Sequence, residues 1–93
     1  MEIPAALRPF LDDERRVIQW PARRKIQLLA LAHLAERFDP AREYSEREVN
    51  EILQAAHTFD DWALLRRALF DFGFLDRESD GSRYRRRERT RSD

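Results

Sequence analysis

One stretch, from Ser45 to Arg87, does most to limit what this chain can fold into. Ser45-Glu46-Arg47-Glu48 has the spacing of a capping box: a serine oxygen accepts at a helix start while a glutamate three residues on reaches back. The helix it opens buries Val49, Ile52 and Leu53, and His57 to Phe59 makes a turn. Asp60 is then placed to cap a second helix, with Phe59 and Leu64 spaced as a hydrophobic staple. Trp62, Leu65, Leu69 and Phe72 step by three, four and three, which is one buried helical stripe. Gly73 is the natural stop, since glycine accepts the left-handed conformation that ends helices. Asp80-Gly81 then marks a hairpin. Pairing around it sets Glu78 against Arg83, Arg77 against Tyr84, Asp76 against Arg85 and Leu75 against Arg86. Opposite charges then share one side of the ribbon, and Leu75 and Tyr84 the other.

Upstream, Pro21 to Arg37 reads as a helix with Leu28, Leu31, Ala35 and Phe38 on its main apolar face. Ile26, Leu29 and His33 form a second, narrower stripe. Two apolar faces need two covers. The N-terminal segment, with Leu7, Phe10, Val17 and Ile18, is expected over the second; a homodimer contact there is the rival. Pro4 suits the first turn of a short N-terminal helix. Arg42 to Tyr44 is long enough for one small strand.

The order of these elements predicts a mainly α (α+β) winged helix-turn-helix: a three-helix core, a C-terminal hairpin wing and a short N-terminal helix. Residues 1–20 are expected to pack on the core, 21–87 to form the winged-helix domain, and 88–93 to be a disordered basic tail. Such a fold licenses function only through its site.

Charge is informative in its distribution. Eighteen basic residues, seventeen of them arginine, balance eighteen acidic ones. Asp39 to Asp61 holds two basic and seven acidic residues, and Arg77 to Asp93 seven basic and four acidic. Phosphate contacts therefore have to come from local patches and not from net charge. Zero cysteines exclude disulfides and thiol chemistry. The absence of an apolar run of roughly 20 residues, and of a signal-like start, predicts a cytoplasmic protein.

The side chains that could carry function are mostly arginines. Arg66 and Arg67 lie opposite the core stripe of the second capped helix, where arginine is the commonest reader of guanine edges. Arg67 and Asp71, at i and i+4, can equally pair with each other on the surface. Arg23, Arg24 and Lys25 stand at a helix start, where free N–H groups and cations suit phosphate. In the hairpin, Arg83 and Arg85 can pair with Glu78 and Asp76 while Arg86, Arg87, Arg89 and Arg91 stand freer, and the wing residues Arg83, Arg85, Arg86 and Arg87 are expected to meet a DNA backbone. The alternative is a protein-binding module using Ile26, Leu29, His33 and Phe70. His33 and His57 stand in unrelated contexts without metal-site or catalytic spacing. Ser45 reads as a cap, not a nucleophile. The expectation is a non-enzymatic protein without cofactor or metal that binds DNA or a transcription partner.

Several strings resemble a bacterial family, domain of unknown function 2087. They are Phe10-Leu11-Asp12, Trp20-Pro21 with Arg23-Arg24-Lys25, Leu34-Ala35-Glu36-Arg37-Phe38, Tyr44-Ser45-Glu46 and Glu48-Val49-Asn50. Leu65-Arg66-Arg67, Asp71-Phe72-Gly73-Phe74-Leu75 and Gly81-Ser82-Arg83-Tyr84 continue the likeness, which spans roughly Phe10 to Arg86. The resemblance implies a winged-helix-like fold associated with transcriptional regulators. It also implies a glycine in a turn where this chain has Arg15.

Overall fold

A computed structural model describes residues 3–87. Three helices and a three-stranded antiparallel sheet follow in the order α1 (Arg24–Ala35), β1 (Glu43–Ser45), α2 (Glu46–Ala56), α3 (Trp62–Asp71), β2 (Leu75–Arg77) and β3 (Arg83–Arg86). The sheet order is β1-β3-β2, so the last strand lies in the middle.

The start of α2 forms as its sequence predicts. Ser45 Oγ accepts from the Glu48 N–H at 3.1 Å, and the Glu48 carboxylate accepts from the Ser45 N–H at 2.8 Å. Val49, Leu53 and Ala56 are buried, and Ile52 packs half-buried against the same core. At its far end the His57 ring ties the α2–α3 turn together. Nδ1–H donates to the Leu53 carbonyl at 2.5 Å, and Nε2 accepts from the Asp61 N–H at 2.8 Å. A carbonyl needs a donor and an N–H an acceptor, so these partners select the Nδ1–H tautomer. Phe59 closes edge-on against the ring at 4.6 Å.

The cap of α3 differs from expectation by one residue. Asp61 is the cap, accepting from the Leu64 N–H at 3.3 Å, while Asp60 holds a left-handed φ of 56°. Aspartate tolerates that region better than most side chains, so the turn uses Asp60 as its bend. The shift also dissolves the expected staple: Phe59 joins the core and Leu64 faces solvent. Leu65 and Leu69 are fully buried, with Trp62 and Phe72 packed half-buried beside them. Gly73, at φ 82°, ends the helix: its N–H bonds to the Phe70 carbonyl and the Phe74 N–H to the Leu69 carbonyl. That is the paired closure of a Schellman motif.

The ribbon register holds, with Leu75 opposite Arg86, Asp76 opposite Arg85 and Arg77 opposite Tyr84. Its loop is wider than the two residues expected. Glu78 accepts from the Gly81 N–H at 2.8 Å and donates to Arg83 at 2.9 Å, leaving Ser79 to Ser82 as the loop. Only Gly81 of the Asp80-Gly81 pair has positive φ, and a two-residue type I′ loop requires it at both. Asp80 instead accepts from the Ser82 N–H and hydroxyl, at 2.9 and 2.7 Å. On the other edge of β3, β1 sets Tyr44 opposite Tyr84, and both rings are buried.

Helix α1 is shorter than the Pro21–Arg37 expected. Arg23 is extended at the cap, and Pro21 is buried ahead of the helix. Leu31, Ala35 and Phe38 are buried as predicted, joined by Ala30 and Leu34. Among the described residues the N-terminal segment forms no α-helix, only a 3-10 turn at Arg8–Phe10. Leu11 and Val17 pair across a tight turn, and Val17 bonds through its backbone to Ala56 and Thr58. Val17 thereby enters the core beside the α2–α3 junction, while Ile18, expected as cover, stays 41% exposed. The same turn reaches α1: His33 Nε2 meets the Arg15 carbonyl at 2.8 Å. Residues 88–93, including Arg89 and Arg91, lie outside the described residues.

Candidate nucleic-acid interface

The outward side of α3 and the adjoining strand β2 enclose one concavity, lined by Arg66, Arg67, Phe70, Asp71, Arg77 and Tyr84. Three arginines there face a single carboxylate. Arg67 is the freest of them on α3, with its side chain 82% exposed and its Nε 3.3 Å from Asp71. Exposed i,i+4 pairs of this kind are worth only about 0.3–0.5 kcal/mol, so the guanidinium is readily exchanged to another anion. Arg66 behaves differently. It donates to Asn50 Oδ1 at 2.5 Å and lies 3.9 Å from Glu46, which ties it back to α2. Of the two arginines expected to face outward, Arg67 does so and Arg66 braces the helix pair.

Phe70 was expected as a bare apolar contact for a partner. The guanidinium of Arg77 lies 4.4 Å from its ring centroid and covers one face. Arg77 lines the concavity although the sequence did not single it out. Its strand position was legible, but its stacking depends on β2 lying beside α3.

The ribbon arginines are more engaged than their composition implies. Glu43 of β1 takes Arg83 at 2.9 Å and Arg85 at 3.1 Å, in place of the expected Glu78 and Asp76. Glu43 stands directly opposite Arg85 across the β1–β3 edge, so a third strand supplies the counter-charge that a two-stranded ribbon had to find in itself. Arg86, expected to be free, is half-buried and donates to the Phe38 carbonyl at 3.1 Å. Arg87 lies 3.9 Å from Asp76.

Arg23, Arg24 and Lys25 gather at the start of α1 as expected, all exposed. No side chain caps this end and its first turn holds no acidic residue. Arg24 also stacks over Phe72 at 4.8 Å, which brings the start of α1 to the C-terminal end of α3. Ile26, Leu29 and His33 are all half-buried, and His33 is held by the Arg15 carbonyl.

Three carboxyls are held below their ordinary range, and each serves a turn or cap. The Ser45 backbone N–H lowers Glu48 most, the Arg16 N–H lowers Asp12, and the Ser82 hydroxyl lowers Asp80. None of them lines the concavity of α3. Among the described residues, no group of three His, Cys, Asp or Glu side chains is placed to hold a metal ion. Nor is any helix there long and apolar enough to cross a membrane.

Residues 16–86 match a family described as an uncharacterized protein conserved in bacteria, domain of unknown function 2087, and the chain belongs to that family. The matched span begins after Phe10-Leu11-Asp12. No curated protein and no solved structure matches the chain.

Proposed function

We propose that this is a winged helix-turn-helix protein that binds duplex DNA without catalysing a reaction, as a small bacterial regulator or transcription-associated module. The order helix, strand, helix, helix, strand, strand, with β1 closing onto β3, supports that fold assignment. α2 and α3 are then the helix-turn-helix, α3 enters the major groove, and β2–β3 is the wing. The observation that carries the reading is the concavity on the outward side of α3, where Arg66, Arg67 and Arg77 meet beside one aspartate. In this assignment Arg67 approaches base edges. Arg23, Arg24 and Lys25 hold one phosphate backbone, and the wing meets another.

Fluorescence anisotropy on a labelled duplex across a salt series tests it. With about five phosphates contacted, log affinity falls with log salt at a slope near −4.5. Arg67→Ala weakens binding, whereas Arg47→Ala, on the outer surface of α2, leaves it unchanged. Absence of binding at about 50 mM salt, where backbone contacts are strongest, overturns the proposal.

The protein-partner reading is less well supported. Its Phe70 is covered by Arg77, and the only large apolar side chains that stand exposed among the described residues are Ile18 and Leu64. Phe70→Asp discriminates the two, since it abolishes partner capture in that reading.

A further inference from the structure

We infer that Arg77, and not the four wing arginines Arg83, Arg85, Arg86 and Arg87, is the wing's contact to a DNA backbone phosphate. The inference rests on the DNA-binding reading and assigns a role within it that neither the family nor the composition of the ribbon provides. Arg83 and Arg85 share Glu43, Arg87 faces Asp76, and Arg86 is committed to the Phe38 carbonyl. A phosphate approaching these competes with an acceptor already in place, a weak competitor where the pair is exposed, as it is at Arg67 and Arg87. Arg77 is held by an aromatic ring instead. Its guanidinium carbon lies over the Phe70 ring, 4.4 Å from the centroid, a contact with the π face that uses no hydrogen-bond acceptor. Arginine presents its donors as a planar fork suited to phosphate.

The neighbouring carboxylates are otherwise engaged or face elsewhere. Asp71, in the same concavity, pairs with Arg67 in the unbound protein, an exposed pair that contact between Arg67 and DNA opens. Asp76 precedes Arg77 in the strand and so projects from the opposite face of the ribbon, where it meets Arg87. Glu78 follows Arg77 and belongs to that opposite face as well. Stacking against a residue of α3 also ties the wing contact to the helix. A phosphate held by Arg77 lies within one concavity with Arg67, so the two contacts share a register on the duplex.

The test is the salt dependence of the full chain on a mixed-sequence duplex between about 50 and 200 mM salt, comparing wild type, Arg77→Ala, Arg77→Lys and Arg83→Ala. Arg77→Ala is expected to make the log–log slope shallower by about 0.9 and to weaken binding uniformly across sequences. Arg77→Lys keeps the wild-type slope, because the charge remains, but binds more weakly because the stacked fork is lost. Arg83→Ala keeps both slope and affinity. A thermal melt by circular dichroism confirms that each variant is folded. If Arg77→Ala does not fold, Arg77→Lys together with Phe70→Leu, which removes the ring but not the apolar contact, decides the matter: unchanged affinity in both overturns the inference. A wild-type slope in folded Arg77→Ala, or a loss of about 0.9 in Arg83→Ala instead, overturns it while DNA binding stands. No binding by the wild type overturns the DNA reading and this inference together.

Discussion

Helices α1 and α2 begin in opposite ways. At α2, Ser45 and Glu48 satisfy each other's backbone donors, and Glu46 adds a second carboxylate to the first turn. At α1 the cap is Arg23, no side chain bonds to the free amides, and Arg24 and Lys25 follow. A helix start carries partial positive charge, so acidic side chains stabilise it and basic ones oppose it. The end of α2 is built for local stability. The end of α1 keeps bare N–H groups and three cations at an energetic cost, and under the proposed function that cost serves the phosphate contact.

Removing the α2 cap gives the largest expected effect. Ser45→Ala combined with Glu48→Ala removes the side-chain acceptors of two backbone donors and costs roughly 2 kcal/mol. In a domain of this size each kcal/mol lowers the melting temperature by about 4–8 °C. A urea titration checks it, and a loss below about 0.3 kcal/mol, smaller than ordinary cap substitutions, erases the contrast between the two ends.

The converse change sharpens it. Arg23→Asp supplies α1 with a capping oxygen and a favourable charge, and stabilises the fold by about 1 kcal/mol. Under the proposed function the same variant binds DNA more weakly, because a negative charge replaces a phosphate contact. Gain of stability with loss of binding, measured by urea titration and anisotropy on one preparation, is the expected pair. Loss of stability breaks the comparison.

The same contrast separates what could be read in the sequence from what could not. Signals confined to a few residues were legible: the Ser45–Glu48 box, the stop at Gly73, and the pairing of Leu75 to Arg77 with Tyr84 to Arg86. Each follows from local backbone chemistry. The cap of α3 was displaced because Asp60 takes a left-handed bend, and that choice is fixed by the His57 ring bonding to Asp61. The charge partners of the site were the least legible. Glu43 lies 40 residues before Arg83, and Asn50 lies 16 before Arg66. Neither separation has a periodicity. Both partnerships exist only once β1 has chosen the free edge of β3 and α2 has packed on α3. The arginines were recognisable as candidates, but their availability depends on those long-range contacts.

Acid probes the two ends through a different variable. The Ser45 N–H donates to Glu48 and holds its folded-state pKa below the ordinary value of 4.5. A carboxyl depressed by folding contributes stability above its unfolded pKa, and that contribution disappears as pH falls through the folded value. Asp12 and Asp80 are lowered too, so they add to stability loss in the same direction. The first turn of α1 has no carboxylate and adds nothing. Melting temperature therefore drops as pH falls from about 5 through the lowered folded-state values, and Glu48→Gln makes the drop shallower without abolishing it. A Glu48→Gln profile parallel to wild type assigns the acid loss to the two turns instead.

The smallest expected effect lies at Arg15, a second place where a basic residue stands against local preference. Its φ of 63° lies in the left-handed region, in a turn that the Asp12 carboxylate organises by accepting from the Glu14 and Arg16 N–H groups at 2.9 and 2.7 Å. A side chain there costs about 1–2 kcal/mol, and glycine removes that strain while losing about 0.5–1 kcal/mol more in chain entropy. Arg15→Gly is therefore expected to stabilise by about 0.5 kcal/mol, as the difference of those two quantities. The backbone carbonyl that meets His33 is kept, so the seat of the turn on α1 survives. Measured beside Arg23→Asp, this variant separates two meanings of an unfavourable arginine. Both changes raise the urea midpoint, but only the one at the start of α1 weakens DNA binding. If Arg15→Gly weakens it equally, the basic character of the N-terminal turn belongs to the interface, and the contrast between the helix ends no longer marks where the anion sits.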